Sequence, residues 1–134
     1  MDDVIINKAA IIERCIRRVR EEYADTPENL TSNLTRQDSI ILNIQRACEA
    51  SIDLAMHLVR IYKLGIPQES REAFSLLANA GKISPDLAQA LQRMVGFRNV
   101  AVHNYQQLNL QIVQAIVTQR LGDLLIFTEL ALKS

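Results

Sequence analysis

The chain is predicted to be all-α, a helical bundle of four main helices plus one short helix. Three observations predict this. Apolar residues recur at steps of three and four along most of the chain. No stretch shows the strict alternation of a half-buried strand. Aromatic residues make up only 4% and Trp is absent, so the core must be built from Ile, Leu, Val and Ala. No repeat and no linker divides the 134 residues, which suits one domain spanning 1–134. A chain of this length buries enough surface to fold without metals or disulfides.

The first helix is expected over about 4–23. Ile5, Ala9, Ile12, Ile16, Val19 and Tyr23 share one face. Thr26-Pro27 ends it, because proline disfavours helix at the residue before it. A polar stretch, 28–33, follows. Thr35, three residues before Asp38, resembles a capping box and starts the second helix, which runs to about 64. One stripe on it is Ile41, Ile44, Cys48, Ile52, Ala55, Val59 and Tyr62. Another is Ile40, Ala47, Leu54, Leu58 and Ile61. Together they cover most of the circumference, so this helix is central. Gly65-Ile66-Pro67 stops it. A short helix, about 70–80, carries Ala73, Phe74, Leu76 and Leu77, and Gly81 closes it. Ser84 as N-cap and Pro85 at the first position open the next helix, which is read to about Gly96-Phe97. The last begins at Asn109 as N-cap and reaches about Leu132, with Leu110, Val113, Val117, Leu121, Leu124 and Ala131 on its inner face.

Lys plus Arg number 15 and so do Asp plus Glu, giving a formal net charge of zero. A general nucleic-acid coat needs a basic surplus, so that class is excluded, but a nuclease with a local basic patch is not. Cys15 and Cys48 fall on apolar stripes and read as buried free thiols. With no CxxC pair and no Cys/His cluster, a zinc site is not supported. The acidic start Met1-Asp2-Asp3 is unlike a signal peptide. No apolar run approaches the roughly 20 residues of a membrane span, so a cytoplasmic, non-membrane protein is expected.

The stretch after Phe97 fits no helix cleanly, and it holds the chemistry: Arg98-Asn99-Val100-Ala101-Val102-His103-Asn104-Tyr105. In an unbroken helix Arg98 and His103 point about 140° apart. They converge only if the helix ends or loosens between them, which the β-branched Val100 and Val102 favour. An imidazole titrates near pH 6.5 and can take a proton and return one. A guanidinium holds two phosphate oxygens and stabilises a charged phosphorane. RNA carries its own nucleophile, the 2′-OH, so one His and one Arg are a sufficient minimum for cleavage without metal. The residues alone leave a second reading open: Arg98 as a helix-terminal charge, His103 as a loop residue and Tyr105 as packing.

On the second helix Asn43, Arg46, Glu49, Asp53, His57 and Arg60 lie within about 120° on a helical wheel. Three readings stand: a solvated stripe of intrahelical ion pairs, a support for the cleft, or a metal site from Glu49, Asp53 and His57. In the second, Arg46 touches RNA and Glu49 or Asp53 orients Arg98 or His103. The cluster Arg14, Arg17, Arg18 and Arg20 reads as a solvated face or an RNA-backbone contact.

RNVAVHNY matches the R-x₄-H-x-Y signature of HEPN-domain toxins of the HepT type. DSIILNIQRACEASIDLAMHLVR resembles that family's long second helix, LGIPQESREAFSLLANAGKIS its following turn and short helix, and LQRMVGFRNVAVHNY its catalytic helix and loop. The resemblance covers most of 38–105. It implies a HEPN-type helical bundle acting as a homodimer, with no cofactor and no metal. It implies a metal-independent endoribonuclease toxin of a type VII pair, cutting tRNA or mRNA. Its partner would be a minimal nucleotidyltransferase antitoxin. Arg98 and His103 align with the catalytic pair, and Tyr105 with the tyrosine that the antitoxin modifies with AMP. Asn99, Asn104, Arg46, Glu49 and Asp53 are candidates for site support or RNA contact. Related sequences often carry Asp where this chain has Asn104. The alternative is a non-catalytic helical module that binds a nucleotidyltransferase subunit or a nucleotide.

Overall fold

The computed structural model describes residues 2–134, and no strand occurs among them. Helix α1 spans Asp3–Tyr23, α2 Glu28–Thr31, α3 Leu34–Ile61, α4 Ser70–Asn79 and α5 Pro85–His103. A 3₁₀ turn, Tyr105–Gln107, leads to α6, Leu110–Ala115. A wide π turn, Ile116–Arg120, leads to α7, Leu121–Leu132. The expected all-α class is therefore observed, with one extra single-turn helix, α2, in the stretch read as polar. Leu30 explains α2: it is fully buried and pins the turn to the bundle.

Helix α3 is the centre. It packs most extensively against α1 and also meets α4, α5 and α7. Its buried residues follow both expected stripes from Ile40 and Ile41 through Leu58 and Val59, but their last members are not buried: Tyr62 is half-buried and Ile61 is exposed. One core runs through the chain, from Ile5 on α1 to Ala131 on α7. It is aliphatic apart from a few rings, of which Phe74 and Phe127 meet edge to face with centroids 5.7 Å apart.

Several boundaries differ from the sequence expectation, each for a local reason. The end of α1 is not among them: it falls at Tyr23 as expected, with Ala24 in the left-handed region (φ 49°) and its N–H donating to Arg20 O at 2.9 Å. The second main helix opens on Asn33, whose Oδ1 accepts from Arg36 N at 3.0 Å, and not on a Thr35/Asp38 capping box. It also ends sooner. Lys63 takes the left-handed conformation (φ 57°) and Leu64 N donates to Val59 O at 3.0 Å, two residues ahead of Gly65. The last helix is not continuous. Thr118 Oγ1 donates to Gln114 O at 2.8 Å, within the widened stretch. Such back-bonding bends helices and accompanies π turns.

By length and composition, the segment Leu110–Leu132 is apolar enough to cross a membrane, against the expectation that no segment is. Its apolar residues instead help to build the bundle, where Val113, Leu121, Leu124, Phe127 and Ala131 are core. Phe127→Ala should cost about 3–5 kcal/mol of unfolding free energy, as large buried aromatics do. Urea denaturation should show a lower midpoint at an unchanged slope.

Candidate active site

Helix α5 starts as its sequence dictates. Ser84 Oγ accepts from Leu87 N at 3.1 Å and Pro85 sits in the first turn. It does not end at Phe97. It continues through His103, where Asn104 N donates to Val100 O at 2.8 Å. The β-branched Val100 and Val102 each cost up to about 0.7 kcal/mol in a helix. Phe97 and Ala101 are buried on the inner face, and burying one Phe side chain is worth about 1.5–3 kcal/mol. Packing outweighs propensity, so the expected break at Val100–Val102 does not occur.

The consequence is geometric. With α5 unbroken, Arg98 and His103 point about 140° apart. Arg98 is half-buried and its charge acts on Cys48 of α3, which burial has pushed up to about 12. Its buried Nε–H has no acceptor, and it forms no ion pair among the described residues. An orphaned N–H of this kind costs about 1–3 kcal/mol. His103 is exposed at the C-terminal end of the same helix. Asn99 is half-buried; Asn104 is exposed and caps the helix. The single chain therefore brings Arg98 and His103 onto one helix end but does not converge them.

Tyr105 opens the 3₁₀ turn, and its hydroxyl donates to Asp38 Oδ1 on α3. Burial first, then the hydrogen bond and charge of Asp38, push the phenol up to about 12. The ring remains 42% exposed. Sequence reasoning missed Asp38 as a site residue and assigned it to a cap. A lone acid 67 positions away has no local pattern to mark it.

The polar stripe of α3 turns toward α1. Asp53 pairs with Lys8 at 3.0 Å. His57, only 9% exposed, is held from both sides: Nε2 lies 2.6 Å from Asp2 Oδ2, and Arg60 Nη2 lies 2.9 Å from Nδ1. Because guanidinium only donates, Nδ1 accepts and Nε2 donates to Asp2. Asp2 also caps α1, its Oδ1 accepting from Val4 N and Ile5 N. The field of Arg46 acts on Cys15 of α1, and Glu49 is half-buried beside Cys48. Neither Glu49 nor Asp53 contacts Arg98 or His103 through a hydrogen bond or ion pair among the described residues. Among those residues, too, no group of three His, Cys, Asp or Glu side chains could hold a metal ion.

A groove of about 450 Å³ runs between α5 and α6, beside the motif, lined by Phe97, Val100, Leu108, Ile112 and Ile116 with Arg93 and Arg120 at its rim. Gly96 lets the Arg71 guanidinium lie close over α5: a Cβ there would sit 2.9 Å from Arg71 Nη2. Seven residues of helix turn by about 20° relative to a whole number of turns, so Gly96 and His103 share a face.

The His57 contact holds the Asp2 carboxyl below its ordinary 3.8, with the two amide hydrogen bonds adding to the effect. A lowered folded-state pKa gives stability that is present above the unfolded value and lost as pH falls through the folded one. Asp2→Asn, which keeps the cap, should therefore lower the melting temperature at pH 7. The gap should close on acidification below the 3.8 of a free Asp side chain, as followed by circular dichroism.

This geometry is shared with known proteins. A family model described as Ribonuclease HepT-like matches residues 12–131. A Shewanella oneidensis protein described as an mRNA nuclease HepT is 51% identical over 123 residues, 92% of each chain. A solved structure of a tri-AMPylated Shewanella oneidensis HEPN toxin in complex with an MNT antitoxin matches with a TM-score of 0.94 at 48% identity, covering all of both chains. A toxin–antitoxin structure with AMP-PNP matches at 0.91 and 48% identity, over 98% of this chain and 99% of the other. With the fold, the motif and the matched length in agreement, the chain belongs to the HepT-like ribonuclease family.

Proposed function

We propose that this ribonuclease cuts RNA with Arg98 and His103 at a cleft between two copies of the chain, and that AMP added to Tyr105 silences it. One observation carries the cleavage reading. Arg98 is a guanidinium with no counter-ion among the described residues and a buried Nε–H lacking an acceptor, on the same helix end as an exposed imidazole. A phosphate is the counter-ion such a guanidinium lacks, met by its terminal nitrogens and not by the buried Nε–H. His103 takes the proton of the ribose 2′-OH as that oxygen attacks phosphorus. Arg98 stabilises the charge on the phosphorane, and the 5′-oxygen leaves with a proton given by an imidazolium or by water. The products are a 2′,3′-cyclic phosphate and a 5′-hydroxyl. Arg71, over the His103 face, is suited to a neighbouring phosphate.

The 140° divergence supports a homodimer. One chain cannot aim both groups at one phosphate, whereas a two-fold axis near the end of α5 supplies Arg98 and His103 from different copies. The groove beside the motif favours a second copy as its occupant, since Val100 and the 55%-exposed Ile112 offer it an apolar edge. The relatives occur with MNT antitoxins and in an AMPylated form. For this chain the reading is a minimal nucleotidyltransferase antitoxin as partner, mRNA as substrate as in the similar nuclease, and a cytoplasmic setting. Tyr105 suits modification because it is a 42%-exposed residue just past the same helix end. Added phosphate there would repel the RNA backbone.

His103→Ala and Arg98→Ala should each lower cleavage by about 10²-fold or more while circular dichroism shows an intact fold. Wild-type cleavage should persist in EDTA; loss in the chelator sinks the metal-independent mechanism. Mixing the two inactive variants, after subunit exchange, should restore part of the activity, because one composite cleft then holds both groups. No rescue would place both groups of each site in one chain. If the wild-type protein cuts no RNA, the non-catalytic binding module replaces this reading.

Tyr105→Phe should abolish AMP addition on incubation with a nucleotidyltransferase antitoxin and ATP, followed by intact mass. The unmodified variant should remain toxic in the antitoxin's presence.

A further inference from the structure

We propose that the Asp38 carboxylate accepts the phenolic proton during AMP transfer to Tyr105, so that the chain supplies the base for its own silencing. This rests on Tyr105 being the modified residue, and it adds what the partner need not provide. The contact is direct: the Tyr105 hydroxyl donates to Asp38 Oδ1 across 67 positions of sequence. Asp38 has no ion pair and no other side-chain hydrogen bond among the described residues, so its lone pairs are free for this proton. Within the motif, the neighbour Asn104 carries no charge. On its own segment the titratable neighbour of Tyr105 is His103. From α3, Asp38 is the charged group that acts on the phenol.

The chemistry requires such a group. A protonated phenol is a poor nucleophile, and here it is held protonated well past neutral pH, up to about 12. As Oη forms its bond to the α-phosphorus of a nucleoside triphosphate, the oxygen becomes acidic. Asp38 takes its proton at that moment, as a general base does. The bond between the α-phosphorus and the bridging oxygen breaks, and pyrophosphate leaves with that electron pair. The proton passes from Asp38 to solvent. The nucleoside triphosphate comes from the nucleotidyltransferase partner.

The half-exposed ring explains how both events fit. One side of the hydroxyl faces Asp38, while the exposed part of the ring stays open to an incoming nucleotide. The same bond fixes where the nucleophile lies, because it ties the 3₁₀ turn to the first turns of α3.

The test uses the purified chain, the MNT antitoxin of the Shewanella oneidensis relative and ATP, with intact mass read over time. Asp38→Asn keeps an oxygen that can accept the hydroxyl but cannot take its proton. It should slow the first addition by about 10²-fold at pH 7. The deficit should shrink as pH rises, since the phenol then ionises unaided, and sooner without the Asp38 charge. With no Trp in the chain, tyrosinate absorbance should report that lowered phenol pKa. Asp38→Glu, which keeps a carboxylate, should retain more of the rate than Asp38→Asn. An unchanged rate in Asp38→Asn overturns the proposal. So does a deficit that is constant with pH, or an equal loss in both variants. Failure of the underlying reading looks different: AMP addition absent from the wild type, or persisting in Tyr105→Phe.

Discussion

Everything functional in this molecule is referred to the burial of one helix. Helix α3 has apolar residues on most of its circumference, and α1, α4, α5 and α7 close over it. The remaining polar positions on α3 are then fixed in space, and each holds a different part of the chain. Asp38 takes the Tyr105 hydroxyl, Cys48 lies beside the Arg98 charge, Asp53 pairs with Lys8, and His57 ties down Asp2. The exposed Asp53–Lys8 pair contributes only about 0–1 kcal/mol, so strength is not what these contacts share. They position side chains because the helix that bears them cannot move.

The fold was legible because its signal is periodic and strong. Both stripes of the central helix are buried as far as Leu58 and Val59, and the caps at Ser84 and Asn109 act as their residue types suggest. What was not legible depended on tertiary contact. Val100 and Val102 argue locally against helix, yet Phe97 and Ala101 beneath them carry α5 on to His103. Gly65 looks like a helix stop, but Lys63 assumes the left-handed turn. At the site, the letters Arg98, His103 and Tyr105 were visible in the motif. Asp38 was not, because nothing in its neighbourhood distinguishes an acid that will meet a phenol from one that faces water.

The same extension of α5 alters what one copy can do. A break after Phe97 would have let a single chain fold its imidazole back on its guanidinium. A continuous helix keeps the two side chains about 140° apart, which is why the proposed cleft draws on two copies. The apolar groove beside the motif lies on the surface that the proposed second copy would cover. In that proposal activity and association are a single property, and whatever covers the end of α5 governs both.

The wide turn at Ile116–Arg120 constrains how this chain can change over time. It joins a segment that shapes the groove, through Ile112 and Ile116, to one that fills the core, through Leu124 and Phe127. Removing a single residue from that turn would rotate one segment against the other by about 100°. Either the groove or the core would then lose its lining. Point substitutions on the outer face are tolerable; a change of length is not, and the C-terminal helix should keep its residue count in descendants that keep both the groove and the core.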